Sequence, residues 1–344
     1  MTATDPAAWP ISEAARRLHA DALVWDAHSC LPLAPGLDLE VLERHRAAGV
    51  DFVSINVGMD FNPVRQVIRV LAAFRAWVRR HPDRFQLAGS VAEIEAAKAA
   101  GRLAVAFDLE GSDMLEGDID MLALYQDLGV RQMHLAYNRD NAIAGGCHGS
   151  GQGLTALGRK VVAEINRLGI LIDCSHSSYR TSMDILEMSS RPVVFSHANS
   201  SALKPHARNI ADDQMRACAA TGGVVGITGV GIFLDASHEA TTEAYVRHID
   251  YAVQLIGPRH VGFGLDFVFM RGVDDDPPGF NPADWWPAGN EYGAGGSLGA
   301  LRFATPEQIP ELTDALLKRG YAEDDIRGIL GLNFRRVARE TWGG

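Results

Sequence analysis

The chain has 344 residues, 47% of them hydrophobic, and a formal net charge of -11. That length suits one large α/β barrel with insertions, and the apolar content is ample for its core. The acidic balance, with no long run of Lys or Arg, excludes nucleic acid and an anionic membrane surface as expected partners.

The stretch up to Asp21 has no basic start followed by an apolar core, so it does not read as a signal peptide. Ser12 is placed to cap a short helix ending at Ala20. Residues 22–28 form a predicted first strand that leaves through His28, Ser29 and Cys30. A helix over 39–48, stopped by Gly49, leads to a second strand over 50–57. Helices over 63–81 and 91–100 precede a third strand over 103–110, which exits at Glu110-Gly111. A helix over 119–128 feeds a fourth strand over 130–137, leaving through Tyr137 and Asn138. The Gly-rich stretch 144–151 lacks the Gly-Lys-Ser/Thr of a P-loop and reads as a flexible active-site loop.

A helix over 157–168 precedes the fifth strand, 171–176, and a helix over 179–188 precedes the sixth, 193–197. A loop carrying His206 and Arg208 leads to a helix over 212–220 and a seventh strand over 222–229. A helix over 241–256 precedes the eighth strand, 260–266. Residues 268–305, with Pro277-Pro278 and Trp285-Trp286, form a long irregular insertion, expected at the rim or as a lid. Helices over 306–318, 323–330 and 333–341 then close the barrel, and residues 1–344 are expected to make one domain.

Eight apolar runs alternating with helical patterns call for a parallel sheet with crossover helices. No GxGxxG follows the first strand, so a closed (β/α)8 barrel of TIM type is favoured over a dinucleotide fold. The cysteines, Cys30, Cys147, Cys174 and Cys218, are scattered without a CxxC pair, a reduced and intracellular pattern. No apolar stretch reaches the roughly 18 residues of a membrane span. A soluble cytoplasmic protein is expected, for which a homodimer is admitted but not required.

Two adjacent strands carry the chemistry. The runs ending in Ser175-His176 and Ser196-His197 each deliver one imidazole where the hydrophobic run stops. Across the eight exits stand His28, Cys30, Glu110, Tyr137, Asn138, His176, His197 and Asp266, on the face where such barrels keep their chemistry. A His/Glu/His set suits zinc, and a carboxylate can bridge two ions. Paired metals hold a hydroxide and polarise a carbonyl, which suits hydrolysis at neutral pH. Asp266 is the natural proton carrier, near the ions without being needed as a ligand. His134, inside the fourth strand, and His19, His45, His81, His238 and His248 read as structural.

With these residues in view, the chain resembles the renal (membrane) dipeptidase family of metallopeptidases, and most closely its bacterial branch. The motifs are Asp26-Ala27-His28, Glu110-Gly111, Leu135-Ala136-Tyr137-Asn138, Asp173-Cys174-Ser175-His176 and Ser196-His197-Ala198-Asn199. Arg208-Asn209, Gly222-Gly223-Val224, Gly262-Phe263-Gly264-Leu265-Asp266 and Gly331-Leu332-Asn333-Phe334 extend the likeness from Asp26 to Val337. The resemblance implies a distorted barrel whose binuclear zinc site cleaves dipeptides, often tolerating a D-residue at the C-terminal position. It makes Glu110 the bridging carboxylate, with His28 serving one ion and His176 with His197 the other. Asp266 would take the proton from the attacking hydroxide and pass it to the leaving amine. Arg208 would hold the substrate carboxylate, with Tyr137 and Asn138 beside it on the substrate side.

This chain departs from the family at two places. Cys30 stands where the family has the Asp of His-x-Asp, and Tyr137 stands where many members have an oxyanion-stabilising His. Cys30 either completes a two-metal site as a soft ligand or leaves the His28 subsite weak, so one or two zinc ions per chain are expected. The expected activity is cleavage of a dipeptide, or of a similar small amide bearing a carboxylate, by a zinc-activated hydroxide. Two rivals are a barrel amidohydrolase acting on a non-peptide metabolite and a catalytically weak barrel that binds a small carboxylate.

Overall fold

The computed structural model describes residues 6–269, 275–299 and 301–342. The remainder of the expected single domain, including 270–274 and 300 of the insertion, lies outside the described residues. Ten parallel strands lie in one sheet: β1 Trp25–Cys30, β2 Phe52–Met59, β3 Phe85–Leu87, β4 Leu103–Glu110, β5 Val130–His134, β6 Leu171–Asp173, β7 Val194–Phe195, β8 Val224–Ile227, β9 Val261–Phe263 and β10 Phe267–Val268. Nine of them follow the order β10-β1-β2-β4-β5-β6-β7-β8-β9, and β3 pairs with β4 off this path. The first and last of that order follow each other in the chain, separated only by Gly264, Leu265 and Asp266. The ring therefore closes through one broken strand into the expected barrel.

The eighth strand was expected to run unbroken over 260–266. It breaks because Asp266 has φ of 54°, in the left-handed region, and cannot continue an extended ladder. The break is pinned on both sides. Leu265 N donates to Asp26 Oδ1 at 2.8 Å, and Asp266 N donates to the His28 carbonyl at 2.9 Å. Gly264 packs so tightly here that a Cβ would lie 2.3 Å from the Ser196 carbonyl oxygen.

Most expected elements form within a few residues of their predicted bounds. The helices Tyr179–Met188 and Asp212–Ala220 form over the expected residues, and Ser12 caps Glu13–Asp21 by accepting from Ala15 N. Three differences bear on the site. The first strand runs on to Cys30, so His28 and Cys30 lie within β1 and not beyond it. The short β3 was not expected; it pairs with Leu103–Val105, the part of β4 that β5 does not reach. The register between β1 and β2 slips by one residue between Asp26 and Ser29, a bulge that re-aims His28.

The strand N-termini are plugged by side chains. Trp25 and Phe52 meet at 4.0 Å between ring centroids, and Phe334 stacks on Trp25 at 6.4 Å. Phe334 comes from the helix Asn333–Trp342, and Asn333 Nδ2 donates to the Pro258 and Val261 carbonyls. The opposite end of the barrel carries the polar residues. The insertion covers that end as expected of a rim segment. Lys204 Nζ pairs with Glu291 at 2.7 Å, His206 Nε2 donates to the Asn290 carbonyl at 2.8 Å, and Asn138 Nδ2 donates to the Trp285 carbonyl at 3.0 Å.

Closure at the broken strand predicts a steric test. Gly264→Ala must displace the backbone at Ser196 or at the break itself, and should destabilise by about 2 kcal/mol through overpacking. Gly36→Ala, where an added methyl meets nothing within 4 Å, should stay within about 0.5 kcal/mol of wild type. Denaturant unfolding of both variants checks this, and equal midpoints would remove the packing role given to Gly264.

Candidate metal centre

Glu110 is the last residue of β4, and its Oε1 faces three imidazoles. His176 Nε2 lies at 2.9 Å, His28 Nε2 at 3.5 Å and His197 Nε2 at 3.6 Å, with every one of these side chains almost wholly buried. His176 Nε2 and His197 Nε2 are themselves 2.9 Å apart. The other face of each ring is engaged. His176 Nδ1 meets Asn138 Oδ1 at 2.7 Å, and since an amide oxygen only accepts, the proton sits on Nδ1. His197 Nδ1 meets Ser196 Oγ at 2.6 Å. Glu110 Oε1, His176 Nε2 and His197 Nε2 thus converge on one point.

Such a cluster calls for a cation. Ligands about 2.1 Å from a tetrahedral zinc lie about 3.4 Å from one another. The spacings from 2.9 to 3.6 Å bracket that value, so these three residues fit the metal. Burial, then the nearby Arg208 charge, holds His176 well below the ordinary histidine range; burial, then His28, does the same for His197. Both rings are neutral, the form a metal binds. Burial pushes the Glu110 carboxyl up to about 7, against the pull of His28 and His134.

A second ligand set shares Glu110. His28 Nε2 lies 3.3 Å from Cys30 Sγ, and Sγ lies 4.0 Å from Glu110 Oε2. Glu110 Oε2 also accepts from Asn56 Nδ2 at 3.0 Å, so that oxygen has a partner already. His28 Nδ1 sits 3.2 Å from Asp108 Oδ1, close enough for attraction but misaligned for a hydrogen bond. Burial disfavours a protonated His28, yet Asp108 and the other acidic groups outweigh it and hold its pKa well above the ordinary range. Cys30 behaves in the opposite way: burial pushes its thiol up.

Asp266 stands over both sets, its Oδ1 3.8 Å from His28 Nε2 and 4.0 Å from Cys30 Sγ. Burial raises its carboxyl, opposed by His28 and Arg208. Its side chain keeps 13% of its surface open, on the floor of a cavity of about 370 Å³. Arg208 lines the same cavity, with Nη2 3.0 Å from His176 Nε2 and its guanidinium 5.4 Å from the Phe233 ring centre. The Tyr137 ring stacks on His176 at 4.4 Å, and burial, then Glu110, keeps its phenol protonated as a donor. Asn138 also lines the cavity, but its carboxamide is engaged with His176 and with the rim at Trp285. Its geometry is that of a residue that positions His176.

All nine sequence-predicted site residues therefore meet at one end of the barrel. Three of them, Asn138, His176 and Asp266, adopt positive φ of 57°, 67° and 54°. Side chains held in that sparsely populated region cluster at functional sites, and no sequence periodicity announces them. Sequence reasoning also missed what lies beneath. His134, the last residue of β5, places Nε2 2.9 Å from Asp173 Oδ2, and its ring abuts His28, His176 and His197 edge-on. Asp173 accepts from Ser175 N and Ser196 N at 2.9 and 3.0 Å, which fixes the turns that carry His176 and His197. Asp60 accepts from Ser112 N, Asp113 N and Tyr137 N at 2.7 to 2.9 Å, tying the exits of β4 and β5 together. For Asp108, the neighbour of His28 Nδ1, the alternation with Glu110 in β4 was the available signal.

The Gly-rich loop is tethered where flexibility was expected. Cys147 N donates to the His176 carbonyl at 2.8 Å and His148 N to the Asn138 carbonyl at 2.7 Å. Gly146 has to be glycine, because a Cβ would fall 2.3 Å from the Asn138 carbonyl carbon.

Known proteins share this sequence pattern and fold. The chain is 29% identical to the dipeptidase aclJ of Aspergillus oryzae over 81% of its own length and 62% of that protein's. Its backbone matches the crystal structure of an amidohydrolase from Pseudomonas aeruginosa with a TM-score of 0.85 and 29% identity, over 96% of this chain and 99% of that one. A metallopeptidase from Rhodobacter sphaeroides, solved with a phosphinate mimic of L-Ala-D-Ala, shares the fold at a TM-score of 0.75 and 23% identity, over 94% and 100% of the two chains. The model of the membrane dipeptidase family, peptidase family M19, matches residues 13–285, and the chain belongs to that family.

Proposed function

We propose that the protein is a zinc-dependent hydrolase of dipeptides or of close analogues with a free carboxylate. The observation that carries this reading is the convergence of Glu110, His176 and His197 on one point beside Asp266 and Arg208. The aclJ relative is a dipeptidase, and the Rhodobacter sphaeroides structure holds a dipeptide mimic. Glu110, His176 and His197 would hold one ion, and His28 with Cys30 and Glu110 a second. The bound metal supplies Lewis acidity, lowering the pKa of a water and polarising the scissile carbonyl.

The chain's own residues do the rest. Arg208 clamps the substrate carboxylate with a guanidinium fork. Asp266 accepts a proton at Oδ1 and returns one to the leaving amine, a role its position beside the ligands permits. Tyr137 donates one hydrogen bond to the reacting carbonyl, where an imidazolium would add a charge. Asn138 holds His176 in its orientation. The rim excludes bulk water and so strengthens each of these interactions. A second reading, hydrolysis of a non-peptide amide, draws on the amidohydrolase likeness. Turnover of N-acyl amino acids without any turnover of dipeptides would favour it.

The His28 subsite is the weaker one in this reading. A Cys side chain is one heavy atom shorter than Asp, and its 4.0 Å from Glu110 Oε2 exceeds the spacing of adjacent ligands on one ion. Chelation should abolish activity and added zinc restore it. Metal analysis of the wild type should give closer to one zinc per chain, and Cys30→Asp should move it towards two and raise dipeptide turnover. Full activity in rigorously metal-free protein would refute the hydrolase reading, and two tight ions in wild type would make Cys30 a true ligand.

Arg208→Met should raise KM and lower kcat/KM for a free dipeptide by about 2 kcal/mol, roughly thirtyfold, the loss of a charged hydrogen bond in a closed site. A dipeptide amide already lacks that contact and should be affected little. Steady-state kinetics on both substrates decide it; an equal penalty on each would mark Arg208 as structural.

A further inference from the structure

The cavity above the ligand cluster has walls mostly of hydrocarbon. On the side of β1 and β2 stand Leu31, Leu33, Met59 and Phe61; past the broken strand, after β8, stand Val230 and Phe233. The rim insertion completes both sides. Phe280 and Trp286 lie 4.5 and 6.1 Å from the Phe61 ring, while Leu301 packs with Val230 and Phe233 in one apolar cluster. Two apolar lobes therefore line the cavity that Glu110, His176 and Asp266 also line.

Charge sits at the ends. Arg208 lies at the Phe233 lobe. Asp275 and Asp276 line the cavity, and Asp275 is joined to the Phe61 side, accepting at its carbonyl from Gln66 Nε2 at 2.8 Å. A zwitterion laid between them places its carboxylate at Arg208 and its ammonium towards the aspartates. Its two side chains then fall into the lobes. A polar side chain in the second lobe would lose its hydration against Val230, Phe233 and Leu301. The volume of about 370 Å³ is at the small end of ligand sites, roughly 300–1,000 Å³, and has room for two residues.

We propose that the preferred substrates are dipeptides in which both side chains are large and apolar, and that Phe280, Trp286 and Leu301 of the rim set this preference. This rests on the dipeptidase reading of the site and names its substrate class. An apolar side chain that fills a lobe gains over a methyl through the area it removes from water. Discrimination in apolar pockets is limited to about ten- to a hundredfold per site.

The test compares Leu-Phe, Phe-Leu, Ala-Ala, Ser-Ser and Asp-Asp on the zinc-loaded enzyme, in turnover and in equilibrium binding. Leu-Phe and Phe-Leu should exceed Ala-Ala in kcat/KM by at least tenfold, with Ser-Ser and Asp-Asp below Ala-Ala. In Trp286→Ala and Leu301→Ala the ratio of Leu-Phe to Ala-Ala should fall about tenfold. A ratio does not depend on how much of a variant is folded. A wild-type ratio near one, or a ratio unmoved by both variants, overturns the proposal. Tighter binding of Leu-Phe than of Ala-Ala without turnover of either would support the apolar site and sink the dipeptidase reading instead. Equal binding without turnover would sink both.

Discussion

The site depends on one closure. β9 and β10 are a single strand interrupted at Gly264, Leu265 and Asp266, and the interruption is held by β1. Asp26 accepts from Leu265 N at 2.8 Å with one oxygen and meets His45 Nε2 at 2.9 Å with the other. The same strand carries His28 two residues on. Joining β1 to the broken strand therefore sets His28, Cys30 and Asp266 against one another, while the crossover helices bring Glu110, His176 and His197 round the ring to meet them. An unbroken eighth strand would carry its ladder past the point where Asp266 turns into the cavity.

What that closure assembles is a buried surplus of electron pairs. Glu110 Oε1 faces three imidazole nitrogens, and two of them face each other at 2.9 Å. Arg208 Nη2 lies 3.0 Å from His176 Nε2 and Asn56 Nδ2 donates to Glu110 Oε2, and a cation placed among Glu110, His176 and His197 would find three buried ligand atoms already together. Acidic groups crowd His28 and favour its protonated form, whereas burial keeps His176 and His197 neutral, the form that can ligate a metal. Beneath the ligands a second tier keeps them in place: Asp108 under His28, Asn138 beside His176, and Asp173 under the two Ser-His turns. Side chains fixed in this way would need no rearrangement to take up a metal.

Much of this was legible in the sequence. Alternating apolar runs and helical patterns specified the barrel, and the polar residues at the run ends specified one face of it. Glu110 and His197 were legible because each stands where an apolar run stops. The second tier was not. Asp173 sits in an apolar run and its value comes from long-range partners such as His134 and Ser196, which no local period encodes. His134 looked structural because it lies inside its strand, and its contacts with three ligand rings arise only when the ring closes. The positive φ of Asn138, His176 and Asp266 is likewise imposed by tertiary contacts against local preference. The loop at 144–151 read as flexible because glycine was counted as freedom, whereas Gly146 serves close backbone approach.

Anomalous diffraction from crystals grown with zinc tests the central claim most directly. A peak about 2.1 Å from Glu110, His176 Nε2 and His197 Nε2 is the predicted result, with a weaker one beside His28. Zinc found only on surface carboxylates, with Glu110 still in contact with His176 and no density between them, would contradict it.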